Sequence, residues 1–184
     1  MIASIAFLSA LLLSAPAMSD AARSDAEVRA RVEALLGTID RAIPASRWKA
    51  LGPAAIPVLA EIAASEDQMP STRSMALGAL GAIDAARAEE IARALVDAPE
   101  SPLTVRETAV RTLGRVLSPA KLQAALVPAL RAAHPVGLRS VAAETLARHG
   151  GQGACAEVMD QVSLEPVADH PRFERAAALC ASRR

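Results

Sequence analysis

Apolar residues recur along this chain at helical spacing in one stretch after another. Val28, Val32, Leu35, Leu36 and Ile39 form one stripe, Ile56, Leu59, Ile62 and Ala63 a second, Ile91, Ala94 and Leu95 a third, and Leu122, Leu126 and Leu130 a fourth. Steps of three and four residues put each set on one face of an α-helix, and the strict alternation of a half-buried strand is missing. Polar residues and prolines divide the stripes. Ser24 with Glu27 and Thr104 with Glu107 have the form of capping boxes, and Ser71, Asp84 and Ser118-Pro119 stand where helices should begin. Pro44 and His134-Pro135 break the chain, Pro57 fits a first helical turn, and Asp169 with Pro171 opens a last helix. Gly150-Gly151-Gln152-Gly153 reads as a flexible corner between a helix over Leu138 to Arg148 and a shorter one over Ala154 to Val162.

The stripes share a reading frame. Steps of 33 residues from Arg73 land on Arg106, Arg139 and Arg172, and seven residues past each arginine stands a leucine: Leu80, Leu113, Leu146 and Leu179. Self-similarity at a fixed period of about 20 to 50 residues marks a stacked-repeat protein. One helix pair cannot bury its own stripe, whereas a stack of about three or more can. The expected fold is therefore all-α, a stack of three to four antiparallel helix pairs. Its predicted parts are a cap helix over 24–44, repeats over 46–69, 71–99, 102–134 and 136–166, and a closing half repeat over 170–184.

The motif Arg-x-x-Ala-x-x-x-Leu-Gly, carried by Arg73, Ala76, Leu80 and Gly81 and again by Arg106, Ala109, Leu113 and Gly114, together with the helix opening GPAAIPVL, resembles HEAT-type repeats of the short bacterial kind. The resemblance runs from about Arg47 to the C-terminus. Ala147 replaces the glycine in the third copy, and the fourth has Arg175 in the alanine place and Cys180 in the glycine place. The resemblance implies a right-handed α-solenoid that holds protein partners, a scaffold without chemistry of its own. Two other uses of such a fold are an enzyme or enzyme subunit of the HEAT-like lyase or hydroxylase type, and a structural unit that associates end to end through its closing helix.

Composition changes this picture little. Of 184 residues 52% are apolar but only 2% aromatic, so alanine and leucine must fill the core and the helices must pack closely. Basic and acidic side chains number 20 each, a balance that argues against nucleic acid as partner, as does the shortage of aromatic platforms for bases. Residues 1–17 end an apolar run with Ala15-Pro16-Ala17, the form of a cleaved secretory signal, with cleavage as late as residue 22 as a variant and 18–23 as a short linker. The run is short of the roughly 20 residues needed to span a bilayer, so no stable membrane insertion is expected once the signal is removed. A periplasmic or secreted location follows, with retention as an anchor the alternative.

The chemistry-bearing residues are few. The four arginines are expected to be packing hardware, bonding the free carbonyls of the preceding helix or acids such as Asp67 and Glu100. Cys155 opens the second helix of one repeat and Cys180 lies near the end of the next first helix, at the same end of the stack, so a Cys155–Cys180 disulfide is predicted, one permitted outside the cytosol. His149 shares that end, yet its spacing with the cysteines matches no compact zinc motif; no metal and no cofactor are expected. His134 and His170 read as turn residues. Trp48 is either an anchor between cap and first repeat or, if exposed, the natural partner contact. Neither a nucleophile elbow nor a phosphate loop is present, and no catalytic residue is assigned.

Overall fold

A computed structural model describes residues 20–38 and 43–183. The expected signal segment, the Ile39 end of the first stripe and Arg184 lie outside those residues. Among the described residues the chain is all-helical, with no strand. The helices are α1 (Asp20–Leu36), α2 (Ala45–Lys49), α3 (Ala55–Ala64), α4 (Pro70–Ile83), α5 (Ala85–Val96), α6 (Leu103–Val116), α7 (Pro119–Leu126), α8 (Val136–His149), α9 (Gly151–Leu164) and α10 (His170–Ala181). Short 3-10 turns follow α7 (Pro128–Leu130) and α9 (Val167–Asp169).

Four helices form a row in which α4 packs on α6, α6 on α8 and α8 on α10. Of the others, α3 packs on α4, α5 touches both α4 and α6, and α9 touches both α8 and α10. The core between them is mostly leucine and alanine, as the composition requires. Leu80 and Leu146 are fully buried and Leu113 nearly so, and Ala76, Ala109 and Ala142 beside them have no exposed surface. Each such leucine contributes about 1.5 to 3 kcal/mol of transfer free energy.

The glycine of the repeated motif is there for a close approach. Thr112 of α6 packs over Gly81 of α4, and Thr145 of α8 packs over Gly114 of α6. A Cβ on Gly81 would lie 3.3 Å from Thr112 Cγ2, and one on Gly114 would run into Thr145 Cγ2 and stand 3.2 Å from His149 Cδ2. Both threonines are buried, their methyl groups filling the notch that the missing side chain leaves.

The frame slips by one residue at its fourth step. Phe173, Ala176 and Cys180 are buried in α10, whereas Arg172 and Arg175 are exposed. Phe173 thus occupies the place of the arginine, Ala176 that of the alanine and Cys180 that of the leucine. The departures that the 33-residue frame found at Arg175 and Cys180 come from this shift, since Ala176 restores the motif one position on.

Helix entry also differs from the expectation. Residues 20–23 already belong to α1, so Ser24 is interior and these four residues are helical rather than a linker. Ala21, Ala22 and Arg23 are strong helix formers. Ser71 and Thr104 cap nothing, because α4 and α6 start at Pro70 and Leu103 after extended Met69 and Pro102. Pro135 occupies the same place before α8. Proline brings a φ suited to a helix entrance and no N–H in need of an acceptor, which lets these helices begin without a side-chain cap. Asp84 does cap α5, accepting a hydrogen bond from Arg87 N at 3.0 Å. The glycine corner is shorter than expected: Gly151, at φ 76°, already belongs to α9, and Gln152 and Gly153 form its first turn.

The notch makes opposite forecasts for two glycines of one row. Gly114→Ala should destabilise the protein by about 1 to 3 kcal/mol through overpacking against Thr145. Gly78 in α4 has only ordinary contact, 3.7 Å from its Cβ position to Arg115 Nη2. Gly78→Ala should therefore stabilise by about 0.5 to 1 kcal/mol, as at an unhindered helix position. Urea unfolding of the two variants checks the difference, and equal effects would refute the notch.

Candidate functional site

Three places gather the polar groups that the core leaves over: the edge where the row helices begin, the corner where Cys155 meets Cys180, and the groove between α6 and α8.

At the first, a helix that stops inside the protein leaves its last carbonyls without donors. Arg73, buried in α4, donates from Nε to Ala63 O of α3 at 3.2 Å. Arg106, buried in α6, donates from Nε and Nη2 to Val96 O of α5 at 3.1 and 2.9 Å. The positive groups also face the negative ends of the α3 and α5 dipoles. Both arginines thus serve a helix-end carbonyl, and Asp67 and Glu100 stand exposed without taking part.

Arg139 turns the other way. The helix α7 stops at Leu126 and a 3-10 turn follows, so no long helix ends ten residues upstream as it does for Arg73 and Arg106. Arg139 instead donates from Nη1 to His134 O at 2.6 Å and forms a two-pronged pair with Glu165, with Nε 2.8 Å from Oε1. The Glu165 side chain is 2% exposed, and Gln161 Nε2 adds a bond to its Oε1 at 3.1 Å. These donors, Arg139 first and Gln161 after it, hold the Glu165 carboxyl below the usual glutamate range against the opposing effect of burial. The same bond raises the Arg139 guanidinium further above its ordinary value.

The two histidines at this edge have specific work, contrary to their reading as plain turn residues. His134 Nδ1 lies 3.2 Å from Arg106 Nη2, and a guanidinium can only donate, so Nδ1 accepts. His170 Nε2 lies 3.0 Å from Glu165 O, which can only accept, so Nε2 carries the proton. Contacts thus run from Val96 through Arg106, His134, Arg139 and Glu165 to His170. Arg172 stands apart from them: its side chain is 58% exposed and its Nε is 3.8 Å from Asp169 Oδ1, the consequence of the one-residue slip.

At the second place the sulfurs of Cys155 and Cys180 are 2.17 Å apart, at disulfide distance, with their Cα atoms 5.3 Å apart. Cys180 is buried on α10, while Cys155 on α9 is partly exposed, at the rim of a hollow that Gln152 and Arg183 also line. Arg183 does not serve its own helix but donates from Nη2 to Arg148 O near the end of α8, at 2.7 Å. His149, at that end of α8, titrates below its ordinary value because of partial burial and then the charges of Arg148 and Arg183. No group of three metal-binding side chains occurs among the described residues.

The third place was hidden from a motif search. The groove between α6 and α8 has a volume of about 300 Å³ and is lined by Arg111, Arg115, Arg148 and His149 with Glu144 and Val141. Its signal lay in the same frame: Arg115 and Arg148 stand one period apart, and Arg111 one turn before Arg115. These positions read singly as solvated helix faces, and only the packing of α6 on α8 brings them together. Trp48 is not a surface contact. With 5% exposure its indole belongs to the core, because α2 is laid against α4.

Two sets of variants test the polar edge. Arg106→Ala should cost about 1 to 3 kcal/mol by leaving Val96 O without its donors, whereas Arg172→Ala should change stability by less than about 0.5 kcal/mol; thermal unfolding compares them, and equal losses would sink the distinction. Glu165→Gln should cost about 3 kcal/mol at neutral pH. Because the folded pKa of Glu165 is depressed, its contribution is fully present above the unfolded value of about 4.3 and is lost as pH falls through the lower folded value. Wild type and variant should therefore converge in stability on the acid side, and a gap that stayed constant in urea titrations down to about pH 2 would be the contrary result.

No family model, no curated protein and no solved structure matches the chain, so its likeness to HEAT-type repeats rests on the residues of the recurring motif alone.

Proposed function

We propose that this is an exported, non-catalytic scaffold of the HEAT-like kind, a right-handed solenoid of stacked helix pairs that holds a protein partner in the cell envelope or the secreted space. The row α4, α6, α8 and α10 supports the repeat reading, as do the arginine-to-carbonyl bonds of Arg73 and Arg106 and the glycine notches at Gly81 and Gly114. Each of these recurs one period later, as a unit stacked on its copy requires. Export is supported by the cysteine pair, since such pairs persist in oxidising compartments, and by the leader-like composition of residues 1–17. No described helix is long and apolar enough to cross a membrane.

The observation that carries partner binding is the outward face of α6 and α8. Arg111, Arg115 and Arg148 are exposed there and contribute nothing to the core, whereas the arginines at the edge are consumed by carbonyls and by Glu165. A scaffold reading fits Glu165 better than an enzymatic one, because a carboxylate whose oxygens are taken up by Arg139 and Gln161 is poorly placed to accept a substrate proton.

Cross-linking of the full, oxidised chain in the envelope fraction of cells that produce it tests the scaffold. Discrete heteromeric adducts are expected, absent when the chain is denatured before the cross-linker is added. Recovery of the uncross-linked monomer alone, or of adducts that survive denaturation unchanged, would overturn the proposal.

A further inference from the structure

We infer that the groove between α6 and α8 is a docking site for an acidic polypeptide segment, whose aspartate or glutamate side chains pair with Arg111, Arg115 and Arg148. This deepens the scaffold proposal by naming the face and the chemistry of the partner.

The first support is an imbalance of charge. The protein has a formal net charge of zero, yet four guanidinium groups, Arg111, Arg115, Arg148 and Arg175, meet two carboxylates here, Glu107 and Glu144. Glu144 is shared between Arg148 at 2.7 Å and Arg175 at 3.1 Å. Glu107 lies 3.4 Å from Arg111, a long contact for an ion pair. Arg115 bonds only the Thr112 hydroxyl, at 3.1 Å, among its contacts to described residues. Internal pairs of this exposed kind contribute about 0 to 1 kcal/mol each, so an incoming carboxylate can replace them at little cost.

The second support is shape. Val141, partly exposed in the groove, gives apolar contact for the methylenes of an acidic side chain while the guanidinium groups line the groove with it. Arg115 also reaches back over Gly78, with Nη2 3.7 Å from the Cβ position there, so the basic strip carried by Arg148 on α8 and by Arg111 and Arg115 on α6 extends to the edge of α4. An extended or helical segment lying across the row would thus meet basic groups on successive helices. The positive field acts on His149, whose titration is lowered in part by Arg148 and Arg183. Nucleic acid fits this face less well, since Trp48 and Phe173 are buried and offer no surface on which bases could stack.

The test is a titration of the full, oxidised chain into a fluorescent glutamate-rich peptide, with a glutamine peptide of the same length and a single-stranded oligonucleotide of equal charge as competitors. The glutamate peptide should bind, and its affinity should fall as ionic strength rises from about 0.02 to 0.3 M. Arg111→Glu with Arg115→Glu should weaken it by about tenfold or more, whereas Arg47→Glu, an exposed charge reversal elsewhere, should leave it unchanged. Peptide should also raise the pKa of His149, followed by NMR, and this readout needs no variant. Absence of binding, equal binding by the two charge-reversed proteins, or preference for the oligonucleotide would each refute the inference. If cross-linked adducts persist in the Arg111 and Arg115 variant, the groove is wrong and the scaffold stands. Binding of the peptide by a chain that yields no adducts would support the groove while removing the scaffold.

Discussion

The carbonyls at the end of a buried helix need donors, and this protein supplies them from the helix that follows. Arg106 reaches Val96 O from the first turn of α6, and Arg73 does the same for Ala63 O from α4. The bond fixes where one helix must stop and where the next must start, because the arginine sits ten residues beyond the carbonyl it serves. The rest of the row depends on that spacing. Once the starts are aligned, the alanines at Ala76, Ala109 and Ala142 fall at the contact between neighbours, and the threonine of one helix meets the glycine of the last. Where α7 ends early, no such carbonyl is presented, and Arg139 takes a carboxylate in its place.

Much of this was legible in the chain. The frame of arginine, alanine and leucine located α4, α6 and α8 because core packing imposes the same residue types at the same places in each copy. It failed by one residue at α10, where an exposed arginine happened to continue the count while Phe173 filled the buried position. Helix entrances were misjudged for a related reason: serine and threonine are the usual caps, but Met69-Pro70, Pro102 and Pro135 start their helices through backbone conformation, which leaves no side-chain signature beyond the proline itself.

The proposed docking face was less legible than the core. Arg73 and Arg115 are alike in composition, and only their surroundings separate a guanidinium buried against a carbonyl from one that faces water. Burial repeats, so a period reveals it; surface charge need not repeat, and among the groove arginines only Arg115 and Arg148 kept the period. The pairing of Cys155 with Cys180 could be anticipated because the frame placed both at one end of adjacent helices. The roles of His134 and His170 could not, since each depends on a single carbonyl or guanidinium that another segment brings to it.

The position of Cys180 bears on what holds the last helix in place. It stands in the column that Leu80, Leu113 and Leu146 occupy in the earlier copies, and a reduced thiol behaves there as a small apolar group. The packing of α10 on α8 therefore draws its apolar filling from side chains and not from the sulfur–sulfur bond itself. Cys155 is the more exposed residue of the pair, and both cysteines line the hollow at that corner. On this geometry the sulfur–sulfur bond ties α9 to an end of the row whose core positions are filled by Phe173, Ala176 and Cys180 itself.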